Sequence, residues 1–370
     1  MEATLLFTGA FLLTYFTIPK IIAVVKYKDL LDTPNSRSSH LKITPTLGGI
    51  AFYFTLMFSF FFLKEYDVAR VTYNIIPGLT ILFIFGLKDD LVILSPIAKL
   101  FAQVVAISLI LANESFLIHS LNGFLGVKEI PYALAFFISG FLMILIINAY
   151  NLIDGIDGLA AGIGIVISFV YLIIFYFLKM DFYVYLSLIM IGTLLAFLRY
   201  NLSKYNKIFM GDTGSLIIGF ILGIFTIKLL SLKNYIASSD FPLLIENIPL
   251  VALAILVVPL FDTTRVFAIR LLNKKSPFSA DRNHLHHILI NMGLTHLKAA
   301  IILTASNLLF VVLFIYLAST SKQYFLIAFG ILFIFIAFFI LYKLKFKLSK
   351  NEEKEHFIDK KQSDNDESSS

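Results

Sequence analysis

Apolar runs of membrane-spanning length recur from one end of this chain to the other, and that pattern narrows the choice of fold more than any other feature. A helix crossing the hydrocarbon of a bilayer needs roughly 20 predominantly apolar residues. Runs that meet or approach this length lie at 3–25, 47–63, 73–87, 97–111, 132–149, 159–178, 182–198, 215–230, 248–269, 299–317 and 324–342. The chain is 59% hydrophobic and only 15% charged, a balance that no water-soluble domain needs. The expectation is an all-α polytopic membrane protein of about eleven transmembrane helices. Pro259 falls inside the ninth run, where a proline kinks or breaks a helix.

Alternation along these runs places the loop 26–46 and the loops around Lys88, Asn151, Lys204 and Lys274 on one side, together with the C-terminal segment. That side collects Lys26, Lys28, Arg37, Lys42, Lys204, Lys207, Lys274, Lys275, Arg282 and the lysines at 343, 345, 347 and 350. The opposite loops hold mainly Lys64, Arg70, Lys128, Lys179 and Lys233, so the basic excess marks the first side as cytoplasmic, with the N-terminus outside. The same distribution accounts for the net charge of +6 without nucleic acid as a partner, because the basic residues form no single stripe. The first run lacks a basic leader and a small-residue cleavage site, and reads as a retained helix. Residues 1–345 read as one integral membrane domain and 346–370 as a disordered cytoplasmic tail, polar and low in complexity. With no cysteine, disulfides and thiolate metal sites are excluded.

Seven aspartates stand at the ends of these runs, all on the cytoplasmic side by this count: Asp89, Asp90, Asp154, Asp157, Asp212, Asp262 and Asp281. A carboxylate beside hydrocarbon is costly to keep charged, so a one-sided cluster points to a cation, a phosphate or a proton. Asp89 and Asp90 are adjacent. Ionised together in a partly dehydrated cleft they would repel, so one must be protonated or a cation must lie near, and either suits general-base or metal chemistry. In Asn151-Leu-Ile-Asp154-Gly-Ile-Asp157-Gly158 the two carboxylates share a helical face and the glycines admit close approach; the plainer alternative is a cap, with Asp157 starting one helix and Gly155 ending another.

In Phe209-Met-Gly211-Asp212-Thr-Gly-Ser215, Asp212 or Thr213 could cap the eighth run, but a glycine-flanked helix start is also an anion site where an aspartate can hold Mg²⁺ against phosphate. Asp262 and Arg265 read most simply as an internal salt bridge. In Asp281-Arg282-Asn-His284-Leu-His286-His287, helical spacing puts His284 and His287 on one face and His286 elsewhere, which favours phosphate or sugar oxygens over zinc. Arg37, His40 and Lys42 in the first cytoplasmic loop add cations opposite the aspartates.

Taken in order, these motifs resemble the polyprenyl-phosphate N-acetylhexosamine-1-phosphate transferases, the family of the MraY and WecA enzymes, from about Asp32 to His287. The His284-Leu-His286-His287 stretch, with the Asp32-Thr-Pro-Asn35-Ser-Arg37-Ser-Ser-His40 loop, resembles the WecA branch rather than the muramoyl-pentapeptide branch, which carries consecutive histidines. The resemblance implies a helical bundle with a broken ninth helix and a shallow cytoplasmic cleft in the bacterial inner membrane. It implies transfer of N-acetylglucosamine 1-phosphate from a UDP-amino sugar to a polyprenyl phosphate lipid, releasing UMP. Mg²⁺ is the implied cofactor, with Mn²⁺ as a substitute, and a homodimer is left open. Asp89 resembles the base, Asp90 its neighbour in metal or lipid-phosphate handling, and Asp212 the metal ligand. Asn151, Asp154 and Asp157 resemble nucleotide-site residues and Phe209 the ring that stacks on uracil, while Arg282, His284, His286 and His287 would face the sugar diphosphate; Arg37, His40 and Gly211 are further substrate-binding candidates. Another UDP-sugar is the alternative within the family. A transporter is the alternative outside it, which would put charges near the bilayer midplane rather than at helix ends.

Overall fold

The computed structural model describes residues 1–28, 44–68, 70–232, 243–274 and 283–340. Arg37, His40, Asp281, Arg282 and the expected tail lie outside the described residues. The described chain is helical: α1 (Glu2–Tyr27), α2 (Gly49–Leu63), α3 (Thr72–Leu91), α4 (Pro96–Leu111), α5 (Tyr132–Ile153), α6 (Leu159–Phe177), α7 (Asp181–Asn201) and α8 (Gly211–Leu230), then α9 (Ile248–Ile255), α10 (Val257–Leu272), α11 (Leu285–Asn291), α12 (His296–Thr320) and α13 (Gln323–Ile340).

Among the described residues seven helices are long and apolar enough to cross a membrane, and eight if the bent pair α9–α10 is one span. As far as the described residues reach, each of the eleven expected runs lies on a helix or on that pair, though not each is a full-length span. The shortfall falls at α2 and α4, which have 15 and 16 residues, and at α3, whose last turn is polar with Lys88, Asp89 and Asp90. The described residues form an integral membrane bundle with seven or eight full-length candidate spans.

α8 is its axis. Its apolar stretch is 94% buried, against 11% for α13 at the periphery, and it packs on α3, α5, α2 and α6. A helix that is apolar all round has no solvent face to place, so it belongs in the middle of a bundle. The break expected near Pro259 is present: α9 and α10 meet at 69°, with Leu256 between them out of helical geometry. Pro259 lies in the first turn of α10, where a missing N–H costs nothing. The groups freed at the break are taken up by buried Asn307 of α12, whose Oδ1 accepts from Val258 N–H at 3.2 Å and whose Nδ2 donates to Ile255 O at 3.3 Å.

Candidate active site

The polar ends of α3, α4, α5 and α8 meet at one end of the bundle. Asp90, in the last turn of α3, caps α8 from outside its own sequence. Its Oδ1 accepts from Asp212 N–H at 2.7 Å, and its Oδ2 accepts from the Thr213 N–H at 3.1 Å and hydroxyl at 2.5 Å. Neither Asp212 nor Thr213 caps its own helix; the first free N–H groups of α8 are satisfied by Asp90. This arrangement needs Gly211. Its φ is +71°, and a Cβ there would stand 2.1 Å from Thr46 O and 2.6 Å from an Asp90 carboxylate oxygen. The segment before α8 is further pinned by Phe209 N–H to Pro45 O at 2.8 Å and by Gly48 N–H to Phe209 O at 3.0 Å.

Asp212 is thereby aimed at two partners. Asn151 Nδ2, near the end of α5, donates to Asp212 Oδ1 at 2.6 Å and to Ser215 Oγ at 2.7 Å. Lys99 Nζ, near the start of α4, stands 2.6 Å from Asp212 Oδ2 and 2.5 Å from Asp89 Oδ2, bridging the two carboxylates. The other Asp89 oxygen accepts Leu94 N–H at 2.6 Å. Lys99 is held in register by local rules and by a clasp. Ser95 accepts from Ala98 N–H with Pro96 in the first turn, and one turn beyond Lys99 the Gln103 amide pairs reciprocally with Asn148 of α5.

The loop between α5 and α6 carries the other two aspartates. Asp157 does not cap α6, whose N-cap is Gly158 with φ +81°; it pairs instead with Lys207 at 2.6 Å and lies 3.5 Å from His296 Nδ1. Lys207 also stands over the Phe209 ring at 5.1 Å. Among the described residues no hydrogen bond or ion pair reaches the Asp154 carboxylate. Desolvation, with the charges of Asp212, Asp90 and Asp157, pushes it up to about 7. A carboxylate left without a partner among other carboxylates is a place where a hard cation is stabilised. Among the described residues no three carboxylate or imidazole groups come together closely enough to hold an ion alone. The donor set therefore fits Mg²⁺ only as Mg²⁺ is usually held, by one or two carboxylates with the rest from water and phosphate.

The three histidines converge, contrary to the expectation that His286 points away. Their rings lie 4.3 to 6.4 Å apart, with His284 and His286 stacked at 9°. Helical spacing fails because His284 is the N-cap of α11, in extended backbone at ψ 153°, and so lies outside the helix whose periodicity that spacing assumes. His286 is 2% exposed and lies against Gly155, where a Cβ would meet its Nε2 at 2.3 Å. Burial, with His287 beside it, pushes its imidazole down to about 3, so it is neutral at ordinary pH. The expected Asp262–Arg265 pair is present at 3.1 Å.

Lys99 and Ser215 are the site residues that the motifs do not single out. The signal for Lys99 was one cation in the first turn of an otherwise apolar run, the kind of residue that otherwise reads as a topology marker.

The family model of glycosyl transferase family 4 matches residues 72–230, the stretch from α3 to α8 that holds Asp89, Asp90, Lys99, Asn151, Asp154, Asp157 and Asp212. The chain is 32% identical over 332 residues to the probable undecaprenyl-phosphate N-acetylglucosaminyl 1-phosphate transferase of Bacillus subtilis, covering 88% of this chain and 89% of that protein. It is 30% identical over 285 residues to the undecaprenyl-phosphate alpha-N-acetylglucosaminyl 1-phosphate transferase of Escherichia coli K12, covering 76% and 74%. It is 29% identical to the decaprenyl-phosphate N-acetylglucosaminephosphotransferase of Mycolicibacterium smegmatis, covering 82% and 79%. Similarity of this extent, over the segments that build the carboxylate cluster, places the chain in glycosyl transferase family 4.

Proposed function

We propose that this protein transfers N-acetylglucosamine 1-phosphate from UDP-N-acetylglucosamine to a polyprenyl phosphate, forming polyprenyl diphosphate-N-acetylglucosamine and UMP. The observation that carries the reading is the joining of Asp89, Lys99, Asn151 and Asp212 from four helices at the start of α8. Two phosphorylated substrates must approach each other there, and their repulsion has to be offset by cations. Asp89 takes the proton of the acceptor phosphate. The freed oxygen attacks the β-phosphorus of the donor, and the bond to the α-phosphate oxygen breaks to release UMP. Lys99 follows the charge between the two carboxylates, and Asn151 holds Asp212 in orientation. Asp212 and the unpaired Asp154 are the carboxylates that would hold Mg²⁺, with Asp90 behind them; the ion supplies charge neutralisation for the diphosphate. Phe209 offers a ring to the uracil, beside Lys207. The acceptor's long prenyl chain accounts for such polar chemistry on a membrane bundle, which the basic loops orient with this end toward the cytoplasm of the inner membrane.

The test is UMP release by the purified protein with UDP-N-acetylglucosamine, undecaprenyl phosphate and Mg²⁺, each omitted in turn. UMP should form only with all three. Release only with a different UDP-amino sugar would change the donor, and silence with every donor would refute the transferase reading.

A further inference from the structure

Asp262 stands one turn into α10, beyond the bend, at 1% exposure. A carboxylate so buried must have every lone pair accounted for, and here the partners are all on one segment or beside it. Its Oδ1 accepts from Leu285 N–H at 2.9 Å and from Arg265 Nη2 at 3.1 Å. Its Oδ2 lies 2.9 Å from His284 Nδ1. Arg265 Nη2 also donates to Asn283 O, so α10 grips three consecutive residues at the start of α11. An ionised carboxylate only accepts hydrogen bonds, which makes His284 Nδ1 the donor and fixes the ring tautomer. His284 is itself buried, at 6% exposure, so the ring cannot turn freely to offer the other edge. Nε2 is then the one ring nitrogen left for a ligand.

We propose that Asp262 is a positioning residue of the transfer reaction: it holds His284 in the Nδ1–H form, so that the Nε2 lone pair is presented in one orientation to a hydroxyl or N–H of the donor's sugar. Asp262 touches no substrate and acts through His284. The proposal rests on the transferase reading for its rate measurements, and on geometry for the rest.

The bond pattern supplies a variant that separates positioning from bracing. In Asp262→Asn the amide oxygen must take the place of Oδ1, because the two donors there include a backbone N–H that cannot turn round. The amide NH₂ then faces His284 Nδ1. The brace on Leu285 and Arg265 is kept, while the ring is driven to carry its proton on Nε2. Expected is a loss of about 10-fold to 100-fold in kcat, with the KM for UDP-N-acetylglucosamine within about threefold and thermal unfolding unchanged. Unchanged kcat, or a rate loss that tracks a fall in thermal stability, overturns the proposal.

Substitution at His284 tests the same point without altering Asp262. In Asn the amide nitrogen can stand near the place of Nδ1 while nothing reaches that of Nε2, whereas in Gln the amide oxygen can stand near the place of Nε2 and accept as the ring lone pair does. His284→Gln should retain more activity than His284→Asn; an equal or reversed order means that His284 serves only as a strut. Finally, nitrogen-15 spectra of histidine-labelled protein should show the His284 proton on Nδ1 in the wild type and on Nε2 in Asp262→Asn. That spectrum needs no turnover. A wild-type protein silent in the UMP assay would refute the transferase reading while the spectrum still decided the Asp262 contact.

Discussion

Asp154 should make this protein less stable as the pH rises through neutrality, and Asp154→Asn should remove the effect. Its carboxyl is pushed up to about 7 by desolvation and by the charges of Asp212, Asp90 and Asp157, whereas an unfolded chain titrates its aspartates near 3.9. Between those values the folded state holds a proton that the unfolded state has released. Stability is therefore fully present below about pH 4 and is lost as the pH climbs through about 7. Three units at about 1.4 kcal/mol each give an upper figure of about 4 kcal/mol. Asp154 is only partly buried, so solvent screening brings this to about 2 kcal/mol. For a chain of this size that corresponds to about 2–3 degrees in apparent unfolding temperature. The assay is thermal unfolding of wild type and Asp154→Asn in detergent, without divalent ions, from pH 4 to pH 8.5. The two should coincide near pH 4, and the variant should gain progressively between about pH 4 and pH 7, the gap levelling off above. Millimolar Mg²⁺ should shrink the gap by stabilising the ionised wild-type carboxylate. Parallel curves across the whole range would refute the reasoning, because they would mean that the neighbouring charges do not strain Asp154.

Three further outcomes follow from the same contacts. Lys99→Met should lower UMP release about 100-fold and shift the Mg²⁺ titration to lower concentration, since it removes the cation between Asp89 and Asp212; a weaker Mg²⁺ response would rule out competition between the ammonium and the metal. Gly211→Ala adds a side chain at φ +71°, costing about 1–2 kcal/mol, and drives its Cβ against Thr46 O and Asp90. UMP release should be lost, and wild-type activity in that variant would show that the Asp90 cap is dispensable. Asn307→Leu leaves Val258 N–H and Ile255 O without partners at the helix break, at about 1–3 kcal/mol for each buried group, and should depress the unfolding temperature markedly.

The apolar runs were legible because the bilayer dictates their length, and all eleven fall on helices or the bent pair. How many qualify as full spans was less so. α2 stops at 15 residues where its sequence passes into Lys64-Glu65-Tyr66, and α3 ends in three charged residues. The bend at Pro259 was readable from one residue, but the partner that makes it tolerable, Asn307, lies 49 residues from Val258 and gives no local signal. The local caps offered as plainer alternatives are absent for the same reason: a local rule seeks the cap within the helix's own sequence, whereas the cap of α8 comes from Asp90, more than a hundred residues earlier. His286 was misplaced because helical periodicity was extended one residue too far, to His284.

These long-range caps share a physical origin. In a bundle immersed in hydrocarbon the interior backbone groups of each helix are already paired, so unsatisfied N–H and C=O groups exist only at helix ends and breaks. A polar side chain that reaches such a place from another helix is stabilised there, and it also fixes whatever residue stands at the capped end. Asp90 does this for Asp212, and Asp262 does it for His284. The two cases differ in one respect. Both Asp90 oxygens are engaged by the first N–H groups of α8, so a change there alters the helix start and Asp212 together. Asp262 divides its work, with Oδ1 on the backbone and Oδ2 on the imidazole. Stability and turnover should therefore fall together on substitution of Asp90, and should separate on substitution of Asp262 by asparagine.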